Sequence, residues 1–151
     1  MKKTALTIFL RLKLIISCNS RKYFDIKAVD VAICPEVGPE IIMGSTRMKS
    51  GTAQKLVLNM LTTTAMIKMG KVYENMRIDL QLSNKKLTER SKKIVMTITG
   101  VSYHKAEKFL KESGGHVKTA LVMIKAGVSA ADAKIRLKKT DGFVRKAIGL
   151  K

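Results

Sequence analysis

Apolar positions fall into two kinds of run along the chain. Leu12 to Ser17 and Ala28 to Ile33 are short, leucine-rich and β-branched; Cys18-Asn19-Ser20 breaks the first and Asp30 sits inside the second. Runs of this length predict buried strands of a parallel sheet. From Thr52 to Met69 apolar residues occur on nearly every side of a helical projection, which predicts a helix covered all round. Gly70 is placed to end it. Met76, Ile78, Leu80 and Leu82 then alternate with polar residues, the mark of a half-exposed strand or extended segment. Ser83-Asn84 reads as the cap of a further helix, whose apolar positions Leu87, Ile94, Val95 and Ile98 fall near helical spacing up to Gly100. Three shorter helices follow. They run from about Ser102 to Glu112, ended by Gly114-Gly115; from about Val117 to Ala126, ended by Gly127; and from about Ser129 to Lys138, ended before Asp141-Gly142. Each carries an apolar stripe, for example Ala106-Phe109-Leu110 and Ala120-Leu121-Ile124.

Composition adds limits. With 151 residues of which 46% are hydrophobic, the chain has material for one ordinary domain or two small ones. Its formal charge of +19 raises nucleic acid, a membrane surface or acidic substrates as partners. The lysines and arginines are nevertheless scattered along helical segments, Trp is absent and aromatics are only 5%, so a base-stacking surface is not expected and a lysine-rich solvated face is. Nucleic acid and membrane are therefore not expected partners, and no run is long enough for a membrane-spanning helix. Cys18 and Cys34 lack metal or redox spacing and are expected to be reduced and buried. His104 and His116 have no further ligand chemistry spaced to join them, so no metal site is expected. The nine methionines read as gap-fillers in apolar runs. Met1-Lys2-Lys3 and the apolar residues after it imitate a secretion signal, but Arg11 and Lys13 interrupt the apolar core.

The stretch with chemical content is Gly38 to Lys55, G-P-E-I-I-M-G-S-T-R-M-K-S-G-T-A-Q-K. A Gly38-Pro39-Glu40 turn leads through an apolar triplet to Gly44-Ser45-Thr46, just before the long apolar helix. The first turn of a helix carries unpaired N–H groups and the positive end of the dipole, a natural site for phosphate or carboxylate. Gly44 permits close approach, Ser45 and Thr46 can cap the helix or donate hydroxyls, and Arg47 and Lys49 add positive charge. On spacing alone, Ser or Thr before a helix is more often a cap than a ligand contact.

This stretch resembles, almost letter for letter, the signature shared by N-acetylmuramic acid 6-phosphate etherases and the glucokinase regulatory protein, both of the sugar isomerase (SIS) class of phosphosugar-binding domains. The likeness continues through Leu56-Val57-Leu58-Asn59-Met60-Leu61 and Gly70-Lys71-Val72-Tyr73 into the C-terminal helices, covering about residues 14–149, and it is closer to the bacterial etherases. The resemblance implies an α/β fold. Residues 1–82, with an atypical start over 1–13, would form the C-terminal part of a doubly wound parallel-sheet SIS domain. Residues 83–151 would form a helical region ending in a small all-α, ubiquitin-associated-like three-helix unit. It also implies a cytoplasmic reaction of cell-wall amino sugar recycling. The lactyl ether of N-acetylmuramic acid 6-phosphate is cleaved to N-acetylglucosamine 6-phosphate and D-lactate by elimination and hydration, with no metal or organic cofactor.

Such chemistry needs a base beside a carbonyl, an acid for the leaving oxygen and a dock for the phosphate. In the family the acid and base are glutamates that precede the strand at Leu12, in a half for which this sequence has no counterpart. No catalytic residue is therefore carried over. Glu40, Ser45, Thr46, Arg47 and Lys49 are the residues the resemblance places along the sugar-phosphate cleft or the dimer surface beside it. Half of a doubly wound sheet exposes strand edges and apolar helix faces. The chain alone is thus expected to be inactive, and to oligomerise with itself or require a complementing N-terminal half. The competing reading is a non-catalytic sugar-phosphate-binding or regulatory module.

Overall fold

A computed structural model of the chain describes residues 13–18, 26–80 and 82–149. The strand expected at Leu12 to Ser17 is there as β1, Leu14–Ile16; Leu12 itself and the signal-like start lie outside the described residues. A 3₁₀ turn at Ile26–Ala28 precedes β2, Val31–Ile33. The two strands pair in parallel, with Leu14 opposite Val31 and Ile16 opposite Ile33. Asp30 fixes this register by accepting the Lys13 N–H at 2.8 Å. The α/β character that the resemblance implies is thus present as helices with a small parallel sheet. Burial was overestimated: β1 is half-buried and Val31 is exposed, each strand having only the other as its neighbour among the described residues.

Helix α1 runs Lys49–Lys68 and ends, as expected, at Gly70 in a left-handed turn (φ 65°). The expectation that it is covered all round is overturned. Val57 is its one buried residue, while Leu56 is 55% and Met60 60% exposed. Apolar composition on every side says that a helix needs cover, not that the same chain supplies it.

Residue contacts divide the chain between Thr63 and Thr64. The second unit opens with the end of α1 and continues into a hairpin, β3 Val72–Tyr73 and β4 Met76–Arg77, closed by a turn in which Glu74 adopts φ 52°. The extended segment expected over Met76 to Leu82 is therefore shorter as a strand, and it places Ile78, almost fully buried, in the core. The helices follow as α2 Lys85–Thr99, α3 Tyr103–Glu112, α4 Val117–Ala126 and α5 Ala130–Lys139. Their caps explain their limits. Asn84 Oδ1 accepts the Leu87 N–H at 2.9 Å, Ser102 and Ser129 cap α3 and α5, and Gly100 and Gly127 close α2 and α4 in the left-handed conformation. A last short helix, α6 Val144–Gly149, was not expected.

Helix α4 is the hub of this unit, packing against α2, α3, α5 and α6. It buries Val117, Thr119, Ala120, Leu121, Val122 and Met123, most of its length. Ile94 and Val95 of α2, Ala106 and Leu110 of α3, Ala133 and Leu137 of α5, and Val144 and Ala147 of α6 complete the core. No buried side-chain N or O atom lacks a partner among the described residues.

Candidate functional site

The Gly38–Lys55 stretch forms a loop that feeds α1, as its sequence requires. Gly38 and Gly44 adopt φ 69° and 83°, and a backbone bond from Ser45 N to Ile42 O at 3.0 Å turns the chain after the apolar triplet. That triplet faces outward: Ile41 and Ile42 are strongly exposed and Met43 is 98% exposed.

The helix starts three residues later than the Ser-Thr pair, and its cap comes from farther upstream. The Glu40 carboxylate accepts the Lys49 N–H through Oε2 and the Ser50 N–H through Oε1, each at 3.0 Å. Lys49 returns the contact, donating from Nζ to Pro39 O at 2.8 Å. The next two amides are also engaged, Gly51 N with Thr46 O at 3.0 Å and Thr52 N with Met48 O at 3.3 Å. The first three N–H groups of the helix, which its start ordinarily leaves open, are therefore satisfied within the chain, and Thr52 N makes the first regular helical bond. The amides of Ser50 and then Lys49 hold the Glu40 carboxyl below the usual carboxylate range. Glu40 and Lys49 are thus brought together directly. Ser45 is half-buried, Thr46 and Arg47 are exposed, and the side chains of these three make no hydrogen bond among the described residues.

Behind the loop, the Cys18 thiol donates to Ser50 O at 3.3 Å, and Gln54 Nε2 reaches Ile16 O at 3.4 Å. Cys18 and Cys34 are free and half-buried rather than fully buried.

The helical unit holds an ionic cluster that the sequence did not disclose. Lys92, with its side chain only 8% exposed, donates from Nζ to Glu107 Oε1 at 2.8 Å, to the Tyr103 hydroxyl at 2.8 Å and to Glu89 Oε1 at 2.9 Å. The Tyr103 hydroxyl donates in turn to Glu89, and its ring lies 4.6 Å from the ammonium. The hydrogen bonds that it donates to Glu107, Tyr103 and Glu89 raise the Lys92 ammonium above its ordinary range, while the Lys92 ammonium draws both carboxyls down. A lysine held so firmly charged is no base or nucleophile; it pins α2 to α3. The i,i+3 pair Glu89–Lys92 was visible in the sequence, but the partners across the helix pair were not. His116 stands at the start of α4 without a side-chain cap bond, and His104 meets Tyr103 edge-on at 5.9 Å. Among the described residues no group of three metal-binding side chains comes together, and no helix is long and apolar enough to cross a membrane.

No protein-family model matches the chain. Individual proteins do. It is 65% identical over 119 residues to the N-acetylmuramic acid 6-phosphate etherase of Salinibacter ruber, covering 79% of this chain and 38% of that protein. It is 55% identical over 133 residues to the etherase of Photorhabdus laumondii, with 88% and 44% covered, and 51% identical over 131 residues to that of Alkaliphilus metalliredigens, with 87% and 43% covered. The chain thus spans about two fifths of the length of the curated relatives it matches. Over that length the chain belongs to the N-acetylmuramic acid 6-phosphate etherase family.

Proposed function

We propose that these residues supply the later part of an etherase that cleaves N-acetylmuramic acid 6-phosphate to N-acetylglucosamine 6-phosphate and D-lactate in the cytoplasm. The observation that carries this reading is the 65% identity over 119 residues to a protein of that name. In this reading residues 1–82 belong to a SIS phosphosugar-binding domain and residues 83–151 to a helical region with a ubiquitin-associated-like end. The helical packing around α4 is compatible with that assignment. The 40–49 loop lines the sugar-phosphate cleft: Ser45 and Thr46 offer hydroxyls, Arg47 and Lys49 offer charge, and Glu40 belongs to the same loop.

The 151 residues by themselves do not catalyse. They span two fifths of the relatives' length, and α1 presents Leu56 and Met60, one turn apart on one face, uncovered. That face takes the remaining portion of an etherase fold as its cover. The test is release of D-lactate from N-acetylmuramic acid 6-phosphate by the purified chain, with and without the preceding three fifths of a relative such as the Salinibacter ruber protein. Lactate is expected only in the mixture. Lactate from the chain alone would place the acid and base within these residues. Silence in both would leave a sugar-phosphate-binding module as the function, and a self-associated chain would make a second copy the cover of α1.

A further inference from the structure

The start of α1 looks in sequence like an open anion site, yet its first three amides are all taken, two of them by one carboxylate from nine and ten residues upstream. This changes how the loop can meet a ligand. We propose that Glu40 is a positioning residue that fills the helix N-terminus with the chain's own anion, closes the 41–48 loop, and leaves ligand recognition to the side chains of Ser45, Thr46 and Arg47. The inference rests on the reading of this loop as part of a sugar-phosphate cleft and assigns its members different tasks.

Three observations carry it. First, the carboxylate is bidentate to successive amides, so its two oxygens fix both position and direction of the incoming chain. Second, Lys49 Nζ bonds Pro39 O, so the loop is tied on both sides of the carboxylate and its ends cannot separate without breaking three bonds. Third, the residues between the ties are the ones left unsatisfied: Thr46 and Arg47 are exposed, and neither their side chains nor Ser45's hydroxyl make a hydrogen bond among the described residues. A phosphate entering this loop meets free hydroxyl and guanidinium donors, and finds the amide donors of Lys49 and Ser50 already answered by a carboxylate of the same sign as itself. Binding through those amides would require expelling Glu40 against like-charge repulsion.

The test is residue-resolved amide hydrogen exchange on the full 151-residue chain, comparing wild type with Glu40→Ala, Glu40→Gln and Glu40→Asp, each with and without inorganic phosphate. In Glu40→Ala the Lys49 and Ser50 amides are expected to exchange about tenfold faster or more, the size of losing a charge-assisted bond. The Leu121 amide in α4 should not change. Glu40→Gln, which keeps the reach and one acceptor, should restore protection at one of the two amides. Glu40→Asp, one methylene shorter, should restore neither. Phosphate should protect the Ser50 amide in Glu40→Ala and leave it unmoved in wild type. Unchanged exchange at Lys49 and Ser50 in Glu40→Ala, or protection of the wild-type Ser50 amide by phosphate to the same extent, overturns the proposal. Should Glu40→Ala lose the Leu121 protection and with it the fold, the near-isosteric Glu40→Gln decides by the loss of protection at one amide. Lactate assays are a separate readout, so the amides can behave as expected even if no ether is cleaved.

Discussion

The two units treat an apolar helix in opposite ways. In the helical unit α4 is surrounded by four partners and buries most of its residues. Helix α1, most of which lies in the other unit and which carries apolar residues on several sides, buries Val57 alone. Both segments carry the same message in composition, that a helix without a polar face needs cover. The difference is that α4 lies between amphipathic neighbours with stripes of matching spacing, whereas the described partners of α1 in its own unit are two three-residue strands and a loop. A self-sufficient core and an unfinished one therefore coexist in one polypeptide.

Truncating each helix sharpens that contrast most. Leu121→Ala, at a site with no exposure, should cost about 2–5 kcal/mol in denaturant unfolding of the chain. Leu58→Ala, at a half-exposed site on α1, should stay within about 0.5 kcal/mol. A large cost at Leu58 would mean that another molecule covers α1 in solution, and the comparison would break.

Backbone substitutions come next. Gly70 adopts φ 65°, and a Cβ there would stand 3.1 Å from Gly142 O. Gly70→Ala should fall toward the top of the about 1–3 kcal/mol range for left-handed strain, since backbone must shift as well. Gly44, at φ 83° with nothing within 4 Å, should fall toward the bottom of it on Gly44→Ala, since strain is the sole cost there. Equal thermal shifts for the two would show that the loop is packed more tightly than its open surroundings imply.

Acid separates the units more gently. Glu89 and Glu107 are held below their ordinary 4.5 by Lys92, so their contribution is fully present above that value and is lost as pH falls through their folded-state pKa values. Lys92 has the reverse sign: raised above 10.5, it contributes fully below that value and loses its contribution only as pH climbs past its folded-state pKa. The thermal midpoint of the helical unit should therefore fall on acidification, and less steeply in Lys92→Met. A Lys92→Met variant with the wild-type slope would assign the acid sensitivity to other carboxylates. The smallest effect is local. Glu40 is also depressed, by amides, so the Lys49 and Ser50 N–H groups should lose protection in acid while Leu121 keeps its own.

Helix limits were legible because caps are local chemistry. Asn84, Ser102, Ser129, Gly100 and Gly127 act within three or four residues of where they stand. What escaped is non-local. Lys92 meets Glu107 across fifteen residues, and Glu40 reaches Ser50 across ten, far outside any capping-box spacing. The short α6 escaped because six residues leave little periodicity to read. The candidate loop was placed correctly at the head of α1, but which of its side chains answers the helix amides, and which make no hydrogen bond among the described residues, depended on a side chain folding back over the loop.

Both cysteines of the chain, Cys18 and Cys34, fall in the first unit, and each is half-buried and free. The thiol of Cys18 rests on Ser50 O, at the very turn that Glu40 clamps. The molecule thus carries a pair of native chemical probes confined to its unfinished side. Their alkylation rate times the opening of the β1–β2 pair and the head of α1, while the helical bundle, which has no thiol, stays silent to the reagent.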